Sequence, residues 1–315
     1  MTLRTPARPA MLPKKPFWQS LALDRTWPLY AMLLPGLLAL YLFSYKPLYG
    51  LVIAFQDYQP VNGFANSPWV GWANFEDLFS REEFPLLLRN TVVIALGKIV
   101  MTQLAALSFA LALNEVRNQL FKRSIQTVAY MPHFLSWIIL GGVFIDLLSQ
   151  GGAVNSIIKS FGMQPVTFLA EPDLFPGLLI STHAWKEFGW SAIIFLAALT
   201  NVDPQLHEAA AIDGAGRWQR IWHISLPAIV PIIILVAALS LGNVLDAGFE
   251  QILVLYNPLL RDSGDVIATY VYRAGLERAQ FSLATAVGLF QSVISLVLII
   301  TSRWMAERFA KYQIF

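Results

Sequence analysis

Residues 208–227 read EAAAIDGAGRWQRIWHISLP, and this stretch decides how the rest of the chain is interpreted. Its first five residues, Glu208 to Ile212, are good helix formers. Asp213 and Gly214 then predict a tight turn, because glycine adopts a positive φ without steric cost and aspartate tolerates such bends. After the turn, apolar residues recur at helical spacing: Trp218, Ile221, Trp222 and Leu226. The stretch predicts a helix, a tight turn and a second helix between two long apolar segments.

The composition is that of an integral membrane protein. Of the 315 residues, 56% are hydrophobic and only 13% are charged, whereas soluble domains carry about 25% charged residues. A helix of about 20 apolar residues spans the hydrocarbon core of a bilayer, so the length suits about six spans with short loops. The chain contains no cysteine, which excludes disulfides, a thiol nucleophile and cysteine-ligated metal sites.

Six apolar segments predict an all-α, polytopic fold with six transmembrane helices. The predicted spans are Trp27–Tyr45 (with a continuation to about Phe55 left open), Leu86–Leu113, Ile125–Leu148, Leu174–Leu199, Ile224–Leu245 and Phe281–Ser302. They form a predicted transmembrane domain over residues 27–303. We interpret residues 1–26 as a cytoplasmic N-terminal tail, because they place cations among prolines and lack the apolar core of a signal peptide. Residues 304–315 form the predicted cytoplasmic C-terminal tail.

The distribution of lysine and arginine predicts the orientation, since cytoplasmic loops are enriched in both residues. With the N-terminus inside, thirteen of these cations lie in cytoplasmic segments and five lie in external loops. We therefore expect both termini and the stretch 208–227 on the cytoplasmic side.

Residues 208–227 resemble, almost position for position, the EAA loop of permease subunits in binding-protein-dependent ABC importers. In that family the loop lies on the cytoplasmic face, and its short helix docks in a cleft of the ATPase. The resemblance therefore assigns ATPase coupling to the segment at about 203–227, and within it to Glu208, Ala209, Ala210, Asp213, Gly214, Ala215, Arg217 and Trp218. An ordinary amphipathic helix at the membrane surface is the alternative interpretation of the pattern.

Segments outside the loop resemble the carbohydrate permeases of the same family. They are WVGWANF at residues 69–75, the pair Asn90–Thr91, and ATYVYRAGLERAQFSLATAVGLF at residues 268–290. The last segment is especially similar to permeases for complex oligo- and polysaccharides, including alginate importers of sphingomonad-type bacteria. The resemblance implies the maltose-permease-like fold of ABC importers and an oligo- or polysaccharide as the solute, with alginate as a candidate.

The resemblance also implies a complex in the bacterial cytoplasmic (inner) membrane. The expected partners are a second homologous permease, two ATPase subunits, an extracytoplasmic solute-binding protein and membrane lipid, with no nucleic acid. ATP and Mg would be bound by the ATPase subunits, since this chain has no GxxxxGK[ST] phosphate-binding loop. We expect a non-catalytic subunit that holds no metal, no cofactor and no catalytic residue.

A polar run follows the fifth predicted span, and the resemblance places the sugar path of maltose-type importers in this region. The expected path residues are Asn243, Asp246, Glu250, Gln251 and Tyr272, with Tyr256 and Tyr270 as aromatic companions. Hydrogen-bonding groups and aromatic faces are what a sugar requires. A role in structural pairs between helices is the alternative for these residues.

Ionisable residues in or near the spans leave other function classes open. Lys98, Asp146 or Glu187 would be proton or cation sites in an ion-coupled secondary transporter. For Lys98 and Lys186 a structural role, as an interhelical ion pair or a lysine that snorkels to the membrane surface, is the alternative to a functional one. A permease for a non-sugar solute, such as a peptide or a phosphorylated polyol, and a non-transporting membrane scaffold are further alternatives.

Overall fold

A computed structural model describes residues 27–242, 245 and 247–310 of the chain. This part is almost entirely helical, and its β-type pairing consists of one isolated bridge between Gln56 and Trp69. The predicted all-α class is therefore confirmed. The predicted N-terminal tail lies outside the described residues. The chain divides into two compact units, Met1–Val52 and Ile53–Phe315.

The first unit contains helix α1 (Trp27–Leu40), which continues through a π-helical turn (Tyr41–Tyr45) into a 3-10 segment (Lys46–Phe55) that ends in the second unit. Its side chains are exposed from Trp27 to Tyr49. The whole run Trp27–Phe55 is long and apolar enough to cross a membrane, so the longer of the two predicted extents is confirmed. An apolar helix without burial needs lipid or another chain around it.

The second unit contains the remaining helices. In chain order they are α2 (Gly63–Asn66), α3 (Ala73–Ser80), α4 (Phe84–Asn114), α5 (Gln119–Tyr130), α6 (Trp137–Leu148), α7 (Ala153–Ser160), α8 (Phe175–Thr200), α9 (Pro204–Ile212), α10 (Arg217–Arg220), α11 (Leu226–Leu241), α12 (Phe249–Leu255), α13 (Arg261–Gly264), α14 (Ile267–Tyr272) and α15 (Phe281–Ala310). A π-helical turn at Ile221–Ser225 joins α10 to α11, and another at Arg273–Glu277 follows α14. Because α15 reaches Ala310, helix extends into the predicted C-terminal tail.

Five segments of the described chain have the length and hydropathy to cross a membrane. They are Trp27–Phe55, Phe84–Asn114, Trp137–Ser160, Arg217–Leu241 and Phe281–Thr301. The remaining predicted span corresponds to α8, whose 26 residues are long enough but carry Lys186 and Glu187 near the centre. These two charges lower its hydropathy, and both are held by partners described below.

The third predicted span, a single helix over Ile125–Leu148, is wrong in its continuity. Helix α5 ends at Tyr130, a 3-10 turn covers Met131–Phe134, and α6 begins only at Trp137. Pro132 explains the break, because proline lacks the N–H that an uninterrupted helix needs and crowds the preceding turn. Ser136 then caps α6, accepting a hydrogen bond from the N–H of Ile139 at 3.4 Å.

The fifth span is also displaced from its predicted limits. Its helix begins at Arg217 instead of Ile224 and ends at Leu241 instead of Leu245. Because α10 continues directly into the span, the second helix of the EAA stretch and the fifth span are one continuous segment.

Helices α4 and α8 pack along their length and form the centre of the second unit. At one end Ile94 and Phe175 are buried against α12, and at the other Ala106 and Phe195 are buried against α11. Small residues allow the close approach: a Cβ added to Gly97 would lie 2.3 Å from the side chain of Ile180. Such small-residue contacts are typical of helix packing in membranes.

Candidate functional site

The EAA stretch folds as the sequence predicts. Asp203 caps α9 by accepting a hydrogen bond from the N–H of Gln205 at 2.9 Å. The helix ends at Ile212, and Gly214 takes a φ of +83° in the turn that follows. The N–H of Ala215 donates to the carbonyl of Ala210 at 2.8 Å and closes the turn. These hydrogen bonds within the loop define its internal geometry.

The outer surface of this loop is apolar as well as charged. Four large apolar side chains are more than half exposed: Leu206, Ile212, Trp218 and Trp222. Of the predicted coupling residues, Glu208, Ala209, Asp213, Gly214, Arg217 and Trp218 are exposed, and Ala210 and Ala215 are half-buried. The turn and the start of the fifth span also border a depression of about 360 Å³. An exposed apolar patch rimmed by polar groups is typical of a protein interaction surface.

The described residues of the predicted sugar path differ in their exposure. Asn243 and Asp246 lie outside the described residues. Glu250 is exposed on α12. Gln251 is fully buried, and its Nε2 donates to the carbonyl of Leu179 at 2.9 Å and to the hydroxyl of Thr182 at 2.7 Å. Gln251 therefore joins α12 to α8.

The aromatic residues of the predicted path lie in the segment that follows α12. The ring of Tyr272 lies 5.6 Å from that of Phe249. The guanidinium of Arg273 lies 5.2 Å above the ring of Tyr256 and forms an ion pair with Asp265. Burial lowers the pKa of Arg273, but the hydrogen bond to Asp265 and the charges of nearby acidic groups together raise it more, so this pKa lies above its ordinary value. Tyr270 is buried.

A partly open polar cavity of about 320 Å³ lies between α4, α8 and α11. Its polar lining comes from Lys98, Thr102, Gln103, His183, Glu187, Ser191 and Ser240. Three buried atoms of these side chains have no hydrogen-bond partner in the described part of the chain: Thr102 Oγ1, Gln103 Nε2 and His183 Nδ1. Polar groups in this position suit a ligand that brings its own hydroxyl groups, because unpaired buried donors are costly.

Most of these cavity residues were not predicted from the sequence, although a signal for them exists. His183, Glu187 and Ser191 recur every four residues in α8, and Lys98 and Thr102 do the same in α4. Residues four apart share one face of a helix. A polar face on two apolar helices predicts that they line a common polar space.

The charges at the centre of α8 belong to a connected cluster. Lys186 Nζ donates to Glu187 Oε1 at 2.8 Å and to the carbonyl of His133 at 2.9 Å. The other oxygen of Glu187 lies 2.7 Å from His133 Nδ1, and the ring of His133 stacks on Trp190 with 4.5 Å between centroids. Lys186 therefore forms its ion pair within α8, and its contact with another element is the hydrogen bond to the carbonyl of His133. The cluster also joins the 3-10 turn between α5 and α6 to α8.

Two kinds of comparison identify relatives of this chain. The family described as "Binding-protein-dependent transport system inner membrane component" matches residues 103–311. The polygalacturonan/rhamnogalacturonan transport system permease protein YteP of Bacillus subtilis (strain 168) is 44% identical over 288 residues, which cover 91% of this chain and 90% of YteP. Protein LplB of the same organism is 43% identical and covers 93% of both chains.

A solved structure is similar to this chain in both fold and sequence. A chain of a bacterial ABC transporter involved in the import of the acidic polysaccharide alginate superposes with a TM-score of 0.85 and is 38% identical. The match covers 93% of this chain and 98% of that chain. The resemblance predicted from the EAA stretch is therefore confirmed, and the chain belongs to the family of binding-protein-dependent transport system inner membrane components.

Proposed function

We propose that this chain is the permease subunit of an ATP-driven importer for an acidic oligo- or polysaccharide, with alginate as a candidate. The observation that carries the proposal is the 38% identity, over 93% of the chain, to a subunit of an alginate importer. The relative with 44% identity is named for polygalacturonan, which is likewise a polymer of a uronic acid. Membership of a binding-protein-dependent family argues against an ion-coupled secondary transporter and a non-transporting scaffold.

The sugar path in this proposal includes the polar cavity between α4, α8 and α11. Its volume of about 320 Å³ accommodates one sugar ring at a time. Gln103 and His183 supply buried nitrogen atoms without protein partners among the described residues, and Thr102 supplies a hydroxyl group. A sugar that passes exchanges hydrogen bonds with water for hydrogen bonds with these groups, each worth about 0.5–1.5 kcal/mol net. Binding of this strength permits passage without trapping the solute.

Coupling to ATP in this proposal runs through the loop at residues 203–227. The exposed side chains of Ile212, Trp218 and Trp222 supply an apolar anchor for a cleft in an ATPase subunit. Because α10 continues into α11 without interruption, a displacement of the loop moves the fifth span directly. This continuity supports alternating access, in which ATP closes the ATPase dimer and the spans then open outward.

The proposed complex contains a second homologous permease, two ATPase subunits and an extracytoplasmic solute-binding protein. A related structure of the alginate transporter includes a periplasmic protein with bound alginate pentasaccharide, which supports the last of these partners. We place ATP and Mg in the ATPase subunits and both termini of this chain in the cytoplasm. In this arrangement the chain contributes conduction and coupling, and it carries no cofactor and no catalytic residue.

Co-purification followed by an ATPase assay tests this proposal. The chain is purified with the proposed permease and ATPase partners, and ATP hydrolysis is measured with a panel of saccharides and the binding protein. Acidic oligosaccharides are expected to stimulate hydrolysis more than carboxyl-reduced oligosaccharides of the same linkage. Equal stimulation by both forms would contradict the acidic substrate class, and stimulation by a peptide or polyol alone would contradict the saccharide.

A further inference from the structure

The chain passes from α11, which ends at Leu241, to α12, which begins at Phe249, beside the cavity. Of the residues between these helices, we call Leu245, Ala247 and Gly248 the break. Ala247 has a φ of +49° and Gly248 a φ of +76°. A left-handed conformation costs a residue other than glycine about 1–3 kcal/mol and persists only where the surroundings impose it. The conformation of the break therefore depends on its contacts.

Side chains from two other helices bind the carbonyl groups of the break. Lys98 on α4 is 4% exposed, and its Nζ donates to the carbonyl of Ala247 at 2.6 Å. Gln291 on α15 donates from Nε2 to the carbonyl of Leu245 at 2.8 Å. Buried carbonyl groups outside a regular helix need such partners in a membrane protein, because an unsatisfied backbone group is costly there.

Gly248 is fitted to one of these contacts. A Cβ at this position would lie 2.7 Å from Lys98 Nζ, which is too close for the amine to keep its place. Gly248 thus serves both the left-handed backbone and the position of the lysine. The contact between Lys98 and the break consequently depends on the sequence of both elements.

Ala247 and Gly248 themselves line the cavity. We propose that Lys98 and Gln291 are positioning residues for saccharide passage, which hold the break in the one conformation that shapes this wall of the cavity. The inference rests on the proposed function, because it gives the cavity the role of the sugar path. In this account Lys98 acts through the backbone that it holds, and the carboxylate of the solute is not its partner.

This role predicts a specific defect. When a positioning bond is lost, the break spends less time in the conformation that accepts the saccharide, and apparent affinity falls by the same fraction. ATP is still hydrolysed in cycles that return the saccharide to the outside. The number of ATP molecules consumed per saccharide imported therefore rises. A defect in folding or assembly would instead lower ATP hydrolysis and saccharide import together and leave their ratio unchanged.

The experiment measures ATP consumed per saccharide imported by the complete complex in proteoliposomes. The variants are Lys98→Met, Gln291→Met and Gly248→Ala, with Lys98→Arg as the conservative replacement. Lys159→Met is the matched control, because Lys159 also donates to a backbone carbonyl, that of Gln150 at 3.2 Å, but is exposed near the end of α7. Each complex is assayed with an acidic oligosaccharide and with its carboxyl-reduced form.

We expect the ratio of ATP to saccharide to rise about tenfold in Lys98→Met and about threefold in Gln291→Met, as the loss of a charged and a neutral hydrogen bond implies. Gly248→Ala is expected to resemble Lys98→Met, and Lys98→Arg and Lys159→Met are expected to stay near the wild-type ratio. The rise is expected to be the same for both saccharides.

Three results would overturn the inference. The first is an unchanged ratio in Gln291→Met and Gly248→Ala, which are informative even where Lys98→Met does not assemble. The second is a rise in Lys98→Met for the acidic saccharide alone, which would make Lys98 a reader of charge. The third is a wild-type complex that imports neither saccharide, which removes the proposed function as well; the first two leave that function intact.

Discussion

Gly214 has a backbone conformation that few other residues adopt. Its φ of +83° lies in the left-handed region, where an L side chain is strained. A Cβ at this position would meet no heavy atom within 4 Å, so the space around it is open. The conformational strain is thus the main cost of a substitution within this chain, and it falls on the turn of the proposed coupling loop.

Replacing Gly214 by valine tests the role of this turn. Strain of about 1–3 kcal/mol disfavours the turn, and each 1.4 kcal/mol changes an equilibrium about tenfold. We expect insertion into the membrane to be normal and uptake to fall by about one to two decades. Uptake and the amount of inserted protein are measured in the same cells.

Gly162→Val is the matched control for this change. Gly162 has a φ of +77° and also has no heavy atom within 4 Å of an added Cβ, but it lies in the loop after α7. The same strain there is expected to leave uptake per inserted complex near normal. Equal losses of uptake in both variants, or normal uptake in Gly214→Val, would contradict the coupling role.

Gln251 is predicted to act as scaffold more than as a sugar contact. Its side chain is fully buried and donates two hydrogen bonds to α8. Gln251→Ala removes both bonds, and an unsatisfied buried partner costs about 1–3 kcal/mol. We expect a lower melting temperature of the complex with normal uptake per folded complex, whereas the exposed Glu250→Ala leaves the melting temperature unchanged. If Gln251→Ala slowed uptake without lowering the melting temperature, the scaffold role would be contradicted and Gln251 would belong to the sugar path.

The structural role of a single residue could be predicted from the sequence only where neighbouring residues determine it. The turn at Gly214 was predictable, because the sequence Asp213-Gly214 by itself demands it. The burial of Gln251 was not, because it depends on α8, which is distant in the sequence. The cavity residues Gln103 and His183 were missed for the same reason: a polar residue in an apolar span identifies its function only when its neighbours from other helices are known.

Helices α5 and α8 approach closely beside the 3-10 turn that interrupts the third span. A Cβ added to Gly189 on α8 would lie 2.1 Å from the carbonyl oxygen of Ala129 on α5. No flexible side-chain end is involved, so the backbone itself has to move. Together with the pairing of Lys186 and Glu187 with His133, this contact fixes α5 against α8.

Gly189→Ala is therefore expected to destabilise the protein. Overpacking of a close contact typically costs about 1–3 kcal/mol. The purified complex is expected to melt at a lower temperature than the wild type. Gly177→Ala on the same helix is the control, since its added Cβ has no heavy atom within 4 Å. A melting temperature equal to that of Gly177→Ala would show that the two helices separate without cost.

Hydrophobic periodicity located the helices well, but it did not locate the interruption of the third span. That predicted span contains apolar residues throughout, and apolar content alone does not distinguish one helix from two. Pro132 was a local signal for the interruption. The end of the fifth span was predicted to within four residues, because a polar run follows it. The contacts of Lys98 and Gln291 with the segment before Phe249 were not predictable, since both residues belong to other helices.

At the scale of the molecule, many large apolar side chains of the described residues are exposed. Helix α1 is exposed along its length, and large apolar side chains are also exposed on α4, α6 and α15. The composition predicts this surface, because 56% of the residues are hydrophobic. Its division between lipid and a second permease could not be predicted, since that depends on a chain with its own sequence. The proposed heterodimer assigns part of this surface to the second permease.

The energy source of transport tests the central proposal most directly. Uptake of an acidic oligosaccharide is measured in proteoliposomes that contain the complete complex, the binding protein and internal ATP, with and without a protonophore. We predict that uptake requires ATP, survives collapse of the proton gradient, and is absent when this chain is reconstituted alone. Uptake that stops when the protonophore is added while ATP remains high would contradict ATP-driven import.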